Sequence, residues 1–443
     1  MTCDSAKTRS QRGQTIALVA VSIVSLLAVA ALAIDLTTLY VAKGEIQRAA
    51  DSAALAGAKA FVDSGVTTDP TNTGLQGVAQ QIANSYAVAA AFQNNVAGAP
   101  SQMVGSPVLN FSLPGNPRVT VSLQKTNLPV FFARIFGTTA ATVAATATAE
   151  AYNPAYSQKN LSTFIPAAPK CVKPVLVPNP DKTVATPYVD ETKGGLPNPS
   201  FLGQEIQLAS ACKGRGQNKC NSPTWPPGPG EYLPMLLPGT HTYCPSDTAP
   251  GCGGGNKSDF EQSTECCDGI PFDFQQCGAS TSPATWDVSL DPGGQNKAAQ
   301  SGLQCLIHTT STGLPSGVAQ QDFLDVSSFK TSSGPPKISP GSFSQARYNT
   351  AGPIDTSDSI ITVPLFHVPA TMPANSQLTI VGFLQLFVNY VKPTPTGSGL
   401  PGQGPPDLDA YIVNVIGCGN SAASGAAVSG GGVSPIPVRL VHN

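Results

Sequence analysis

The chain has 443 residues, only 11% of them charged, with 43 glycines, 41 prolines and a net charge of -2. Soluble domains carry about 25% charged residues, so a conventional charged surface is missing from much of this chain. The near-neutral balance gives no basic footprint and excludes nucleic acid as an expected partner. The Gly and Pro content favours short strands and turns over long helices.

Ile16–Ile34 is a run of 19 residues without a charge or a proline. About 20 apolar residues, at a rise of ~1.5 Å each, cross a hydrocarbon core of ~30 Å. Lys7, Arg9 and Arg12 precede the run against Asp4 alone, whereas Lys43 and Arg48 beyond it are offset by Glu45 and Asp51. The positive flank stays inside, which predicts a cytoplasmic N-terminus and an external C-terminus. A cleaved signal peptide is the competing reading, with Ala31-Leu32-Ala33 as its cleavage site. The apolar run is long for that role, and helical pattern continues past the site.

Leu36, Leu39, Tyr40, Ile46, Ala50, Ala53, Ala54, Gly57, Ala58 and Phe61 fall near one stripe, predicting one helix to about Phe61. Thr67-Thr68-Asp69-Pro70 breaks it. Leu75, Val78, Ala79, Ile82, Tyr86, Ala89 and Ala90 then keep the spacing of a second helix. Val108–Leu113 and Arg118–Leu123, around Pro114-Gly115-Asn116-Pro117, predict a hairpin. Leu128–Phe136 reads as a short helix stopped by Gly137, and Ala140–Ala151 as a third strand. Beyond a Pro-containing linker, the best strand candidates are Ile360–His367, Leu378–Val391 and Ala410–Ile416.

Cys3 lies before the apolar run. Cys171, Cys212, Cys220, Cys244, Cys252, Cys266, Cys267, Cys277, Cys305 and Cys418 lie beyond it. An even number in an oxidising compartment reads as a disulfide framework, with the adjacent Cys266 and Cys267 bonded to different partners. Paired zinc-ligand spacings are absent. Asp355-x-Ser357-x-Ser359 matches the metal motif of von Willebrand factor A domains, but no buried strand precedes it, so it reads as a polar turn. Gly397-x-Gly399-x-x-Gly402 contains Pro401 and reads as a linker. His241, His308, His367 and His442 are scattered, and no G-x-S-x-G occurs. Trp225, Trp286, Tyr232 and Tyr243 could line a ligand patch or pack between disulfides.

The N-terminal block reads Arg12-Gly13-Gln14, the apolar run, Ile34-Asp35, Leu39-Tyr40, then Ile46-Gln47-Arg48-Ala49-Ala50-Asp51-Ser52-Ala53-Ala54-Leu55-Ala56-Gly57-Ala58. It resembles the TadG-like N-terminal segment of the Flp (Tad) pilus-assembly proteins, carried by Gly13, Asp35, Gln47, Ala50, Asp51, Ala54, Leu55 and Gly57. Val119–Ala151, with Phe131-Phe132-Ala133-Arg134-Ile135-Phe136-Gly137, resembles the segment that succeeds the helix in that family. Weaker similarity lies at Pro292–Asn296 to Leu306-Ile307 and at Pro435–Val441. The resemblance implies a bitopic component of a type IV-related pilus and secretion system that supports adherence. Small residues in the outward helix would pack against other pilin-like helices or against the chain's own second helix. Type IV prepilins are cut after a Gly and carry a Glu five residues into the mature helix. After Gly13 that place is Leu18, which implies an uncleaved assembly or anchoring component.

The expected fold is α+β. A transmembrane helix continues into a small helix and antiparallel-sheet module, followed by a β-rich, disulfide-stabilised extracytoplasmic domain. The expected segments are a cytoplasmic N-terminus (1–13), the transmembrane and pilin-like helix (14–62), an α+β module (63–152), a linker (153–170), the β-rich domain (171–424) and a Gly-rich tail with a terminal apolar stretch (425–443). The expected setting is the inner membrane, with other Tad assembly proteins as partners. Neither catalysis, a metal nor a small-molecule cofactor is expected. The alternative function is a membrane-tethered module that recognises a surface glycan or protein.

Overall fold

A computed structural model describes residues 8–112, 115–156, 163–211, 224–235, 259–267, 269, 272, 296–309, 320–327, 334, 336–373, 378–391, 408–418, 422–423, 428–430 and 433–441. Helix α1 (Thr8–Asp63) runs 56 residues without a break. Two environments divide it. From Gln14 to Ala30 every residue is exposed, and this part belongs to a helix long and apolar enough, by length and composition, to cross a membrane. Its hydroxyls turn inward: Ser22 donates to the Leu18 carbonyl and Ser25 to the Val21 carbonyl, both at 2.8 Å. Such back-bonding satisfies a polar group where no water is available.

Beyond Ile34 the helix acquires a buried stripe of Asp35, Ala42, Ile46, Ala49, Ala50, Ala53, Ala54, Ala58 and Phe61. Steps of three and four keep these residues on one face. Helix α2 (Thr73–Gln93) packs on α1, burying Leu75, Val78, Ala79, Ala83, Ala87 and Ala91. The side chain of Asn72 caps α2 by accepting from the Leu75 amide at 3.1 Å.

The stripe of α1 lies across an antiparallel sheet of β1 (Val108–Asn110), β2 (Arg118–Pro129) and β3 (Ala140–Ala151). β1 pairs with β2 as the predicted hairpin, with Asn110 opposite Arg118. Gln102–Met103 adds to β2 further along. Alternation divides the β2–β3 pair into two faces. Val119, Val121, Leu123, Ala145, Ala147 and Ala149 are buried. On the opposite face the Thr120–Thr148 and Ser122–Thr146 hydroxyl pairs meet at 2.9 Å each. The alanines of β3 keep the sheet low enough for α1 to lie close.

The structure corrects one expectation in this module. Leu128–Phe136 is not a helix: β2 continues to Pro129, and only Ala133–Phe136 forms a 3-10 turn, stopped by Gly137 at φ 87°. Asn127, at φ 59°, is what the apolar pattern conceals. It sits in a bulge between Lys125 and Leu128, after which the pairing with β3 resumes.

The β-rich region contains β4 (Val175–Asn179), β5 (Glu205–Ser210), β6 (Glu231–Pro234), β7 (Ile360–His367), β8 (Ile380–Val391) and β9 (Leu408–Gly417). They close into a barrel in the order β5-β6-β4-β7-β8-β9, with β9 pairing back on β5. The run pattern predicts strands but not closure, which also requires the short strands β4, β5 and β6. One core cluster joins Val177, Leu208, Val363, Leu384, Leu386 and Val415 with Phe260 of α3 (Asp259–Glu265) and Ala299 and Leu303 of α4 (Asn296–Leu306). A further helix, α5 (Ser342–Tyr348), precedes β7. Cys171 is bonded to Cys267. Cys266, Cys305 and Cys418 are also disulfide-bonded, so the adjacent Cys266 and Cys267 have different partners. Cys3, Cys212, Cys220, Cys244, Cys252 and Cys277 lie outside the described residues, as do Trp286, Tyr243, His241, His442 and the Gly397–Gly402 motif.

The C-terminal end returns to the first module. Strand β10 (Val438–Leu440) pairs antiparallel with β3, setting Arg439 opposite Glu150. Thr163–Phe164 and Ala167–Ala168 pair in parallel with Ala422–Ala423 and Val428–Ser429.

Candidate functional site

The C-terminal half of α1 carries most of the residues singled out in the sequence, and the fold assigns each a position. Gly13 lies within the helix. Asp35 is 4% exposed although it follows directly on the exposed apolar run. Its carboxylate accepts from the amides of Phe131 at 2.8 Å, Phe132 at 2.9 Å and Ala133 at 2.7 Å. These are the open amides at the start of the Ala133–Phe136 turn. A carboxylate has acceptor positions for all of them, which makes it a charge-assisted cap supplied from another element.

Further along the stripe, Gln47 Nε2 donates to Asp51 Oδ1 at 2.9 Å, an i,i+4 pair on the half-buried flank. Ala50 and Ala54 are fully buried, and Leu55 packs partly buried against the same core. Gly57 faces the sheet so closely that a Cβ there would lie 3.3 Å from both methyls of Val119. The small residues therefore meet the chain's own sheet and α2. Among the described residues, the large apolar side chains left exposed on α1 are those of the apolar run plus Leu36, Tyr40 and Val41.

The far end of α1 is fastened to the barrel. Asn414 of β9 donates to the Val62 carbonyl at 3.0 Å and to Gln385 Oε1 at 2.6 Å, and accepts from Thr67 Oγ1 at 3.0 Å. The Val415 amide donates to Thr68 Oγ1 at 3.0 Å. Asn153 Nδ2 and Tyr156 OH donate to the carbonyls of Thr67 and Thr68. A cavity of about 500 Å³ opens beside this joint, lined by Asp63, Tyr86, Asp355, Gln385, Phe387 and Asn414, among others. At its rim Lys59 Nζ lies 2.6 Å from Asp63 Oδ2 and 3.3 Å from Asp355 Oδ2, and Tyr86 OH donates to Asp63 at 3.0 Å. Burial pushes the Asp63 carboxyl up despite the Lys59 charge beside it. Burial opposes the Lys59 charge, but Asp63 and then Asp355 hold its ammonium above the usual range. Burial followed by the Asp63 charge drives the Tyr86 phenol well above its ordinary value.

Sequence spacing could not reveal Glu150, Asp322 or Asn414. Glu150, 2% exposed, receives Arg118 at 3.0 Å and Arg439 at 2.7 Å, so it ties β2 and β10 to β3. Its one signal was a lone acid in a Thr/Ala run. Asp322 accepts from Ser344 Oγ at 3.0 Å and Ser357 Oγ at 2.6 Å. The Asp355-x-Ser357 motif is thereby split between Lys59 and Asp322. His308 Nε2 lies 3.0 Å from Asp358 Oδ2 and stacks on Phe343, while His367 Nδ1 lies 2.8 Å from Glu191 Oε2. Among the described residues, no group of three or more His, Cys, Asp or Glu is placed to hold a metal ion. Trp225 Nε1 donates to the Pro369 carbonyl at 3.1 Å, a structural contact.

No curated protein and no solved structure matches the chain. Residues 13–60 match the family model described as "Putative Flp pilus-assembly TadE/G-like", which makes the helix that joins the apolar run to the module a Tad-type segment.

Proposed function

We propose that this protein is an uncleaved, membrane-anchored structural component of a Tad-type pilus assembly apparatus that supports surface adherence. The observation that carries this reading is α1 itself. One unbroken helix combines a fully exposed apolar half with a half packed into a folded module, and the family match covers both. The basic N-terminal flank favours a cytoplasmic start, with the sheet module and barrel outside the inner membrane. Disulfide bonding at Cys171, Cys266, Cys267, Cys305 and Cys418 accords with an oxidising compartment. The role is mechanical rather than catalytic: α1 links the membrane to the joint at Asn414, and partners would be other Tad proteins. No acid occurs between Gln14 and Ile34, so the position that a prepilin fills with Glu is Leu18, which favours an anchor over a cleaved fibre subunit.

The test is a deletion strain complemented with the full chain. Loss of surface fibres and attachment, both restored by complementation, is the expected result. Fibres and attachment unchanged by the deletion would overturn the reading.

A further inference from the structure

We infer that the β2–β3 connection, residues 130–139, is a second membrane contact: an apolar loop seated in the lipid interface beside α1. The inference rests on the reading that α1 spans a bilayer, and adds to it a part of the chain remote in sequence from the anchor. Three observations converge. The loop is uncovered: Phe131 is 60% exposed and Ile135 79%, with Phe132 also exposed. Its height is fixed, because the amides of Phe131, Phe132 and Ala133 are bound to Asp35, the residue that directly follows the apolar run. Its chemistry is interfacial, with exposed Arg134 between the apolar side chains and Tyr40, 70% exposed, on the adjoining turns of α1. Aromatic rings and an arginine beside an apolar span are what the headgroup boundary accommodates.

The sheet agrees with this placement. Lys43 of α1 is hydrogen-bonded to the Ala144 carbonyl, so β3 descends beside α1 toward its apolar half, and Pro129 and Ala140 form the last pair before the loop. The occupant of the patch is lipid because the surface continues directly into the exposed apolar run. With α1 alone in the bilayer, the module could rotate about the helix axis. A second contact at the level of Asp35 fixes which side of the module faces the membrane.

The experiment places a tryptophan in the full-length protein at Ile135 or at Leu26, one copy per nanodisc. The lipids are zwitterionic and anionic phospholipids brominated at a shallow or a deep acyl position, and the parent protein supplies the background from Trp225 and Trp286. Both positions are exposed, at 79% and 70%, so the substitutions leave the fold intact. Leu26→Trp should be quenched best by deep bromine. Ile135→Trp should lose roughly half of its added emission to shallow bromine and much less to deep bromine. Quenching at Leu26 without quenching at Ile135 would overturn the loop contact while leaving the anchor intact. Loss of quenching at Leu26 would overturn the anchor reading, and this inference with it. Single-copy discs exclude shielding by a second molecule as the cause of absent quenching.

Discussion

Asp35 is an acid at the C-terminal end of the apolar run, and its place is settled by three amides contributed from nearly a hundred residues away in sequence. A buried polar group requires partners, and those of Asp35 exist only because β2 ends beside α1. A different acid is left in tension. Asp409 lies across from Gln207 in the β9–β5 pair, with Glu205 nearby. Burial first, then the hydrogen bond and charge of Glu205, push its carboxyl up to about 6. The folded state therefore holds a proton that the unfolded state releases near 3.8. The stability associated with this proton is present at low pH and lost as pH rises through about 4 to 6. Asp409→Asn should melt higher than the parent at about pH 8, with the difference closing toward about pH 4. Parallel melting curves at both pH values would contradict the assignment. His367, held up first by its hydrogen bond to Glu191, acts in the same direction, losing its contribution as pH rises through its raised value.

At the scale of the element, α1 shows why small residues were placed where they are. Between Ala42 and Ala58 the helix must approach both α2 and β3, and alanine on either side sets that distance. Gly57 faces Val119 of β2 at close range. Gly57→Leu should destabilise the module by about 1–3 kcal/mol through overpacking. Gly57→Ala should be much milder, because a gain of about 1 kcal/mol in helix propensity offsets the closer contact. Thermal unfolding of the three proteins in detergent distinguishes them, and equal midpoints for Gly57→Leu and the parent would refute the close packing. The helix stripe was legible in the sequence because spacings of three and four survive any tertiary context. The misread stretch was Leu128–Phe136. A short apolar run has no decisive period, and Asn127 let a strand bulge where the pattern suggested a helix.

At the scale of the molecule, α1 runs from the apolar segment to the barrel. About 28 residues of α1 lie between Asp35 and its end, roughly 42 Å at helical rise, with the apolar run at one end and the barrel at the other. The joint to the barrel is polar and buried: Ser64, Thr67 and Thr68 are fully buried and Asn414 nearly so. Asn414→Ala takes one of two donors from the Val62 carbonyl, which keeps the Gly65 amide at 3.2 Å, and removes the Asn414 partner of the Thr67 hydroxyl and of Gln385 Oε1; it should cost about 2–3 kcal/mol. Calorimetry should then resolve two unfolding transitions where the parent shows more closely coupled ones. A single unchanged transition would mean that Asn414 does not couple module to barrel.

The sequence by itself determined the apolar run, the helix that continues from it, the hairpin and the three long strands. Each depends on local periodicity or on a turn signal within a few residues. The core of the family resemblance, residues 13–60, was legible for the same reason, since that stretch lies on one helix. Only the tertiary structure decided the barrel's closure, the return of Val438–Leu440 to the first sheet, the amides that hold Asp35 and the polar joint at Asn414. These are pairings between segments separated by about 100 to 350 residues, fixed by strand pairing and by side-chain hydrogen bonds to backbone groups, which leave no period in the chain.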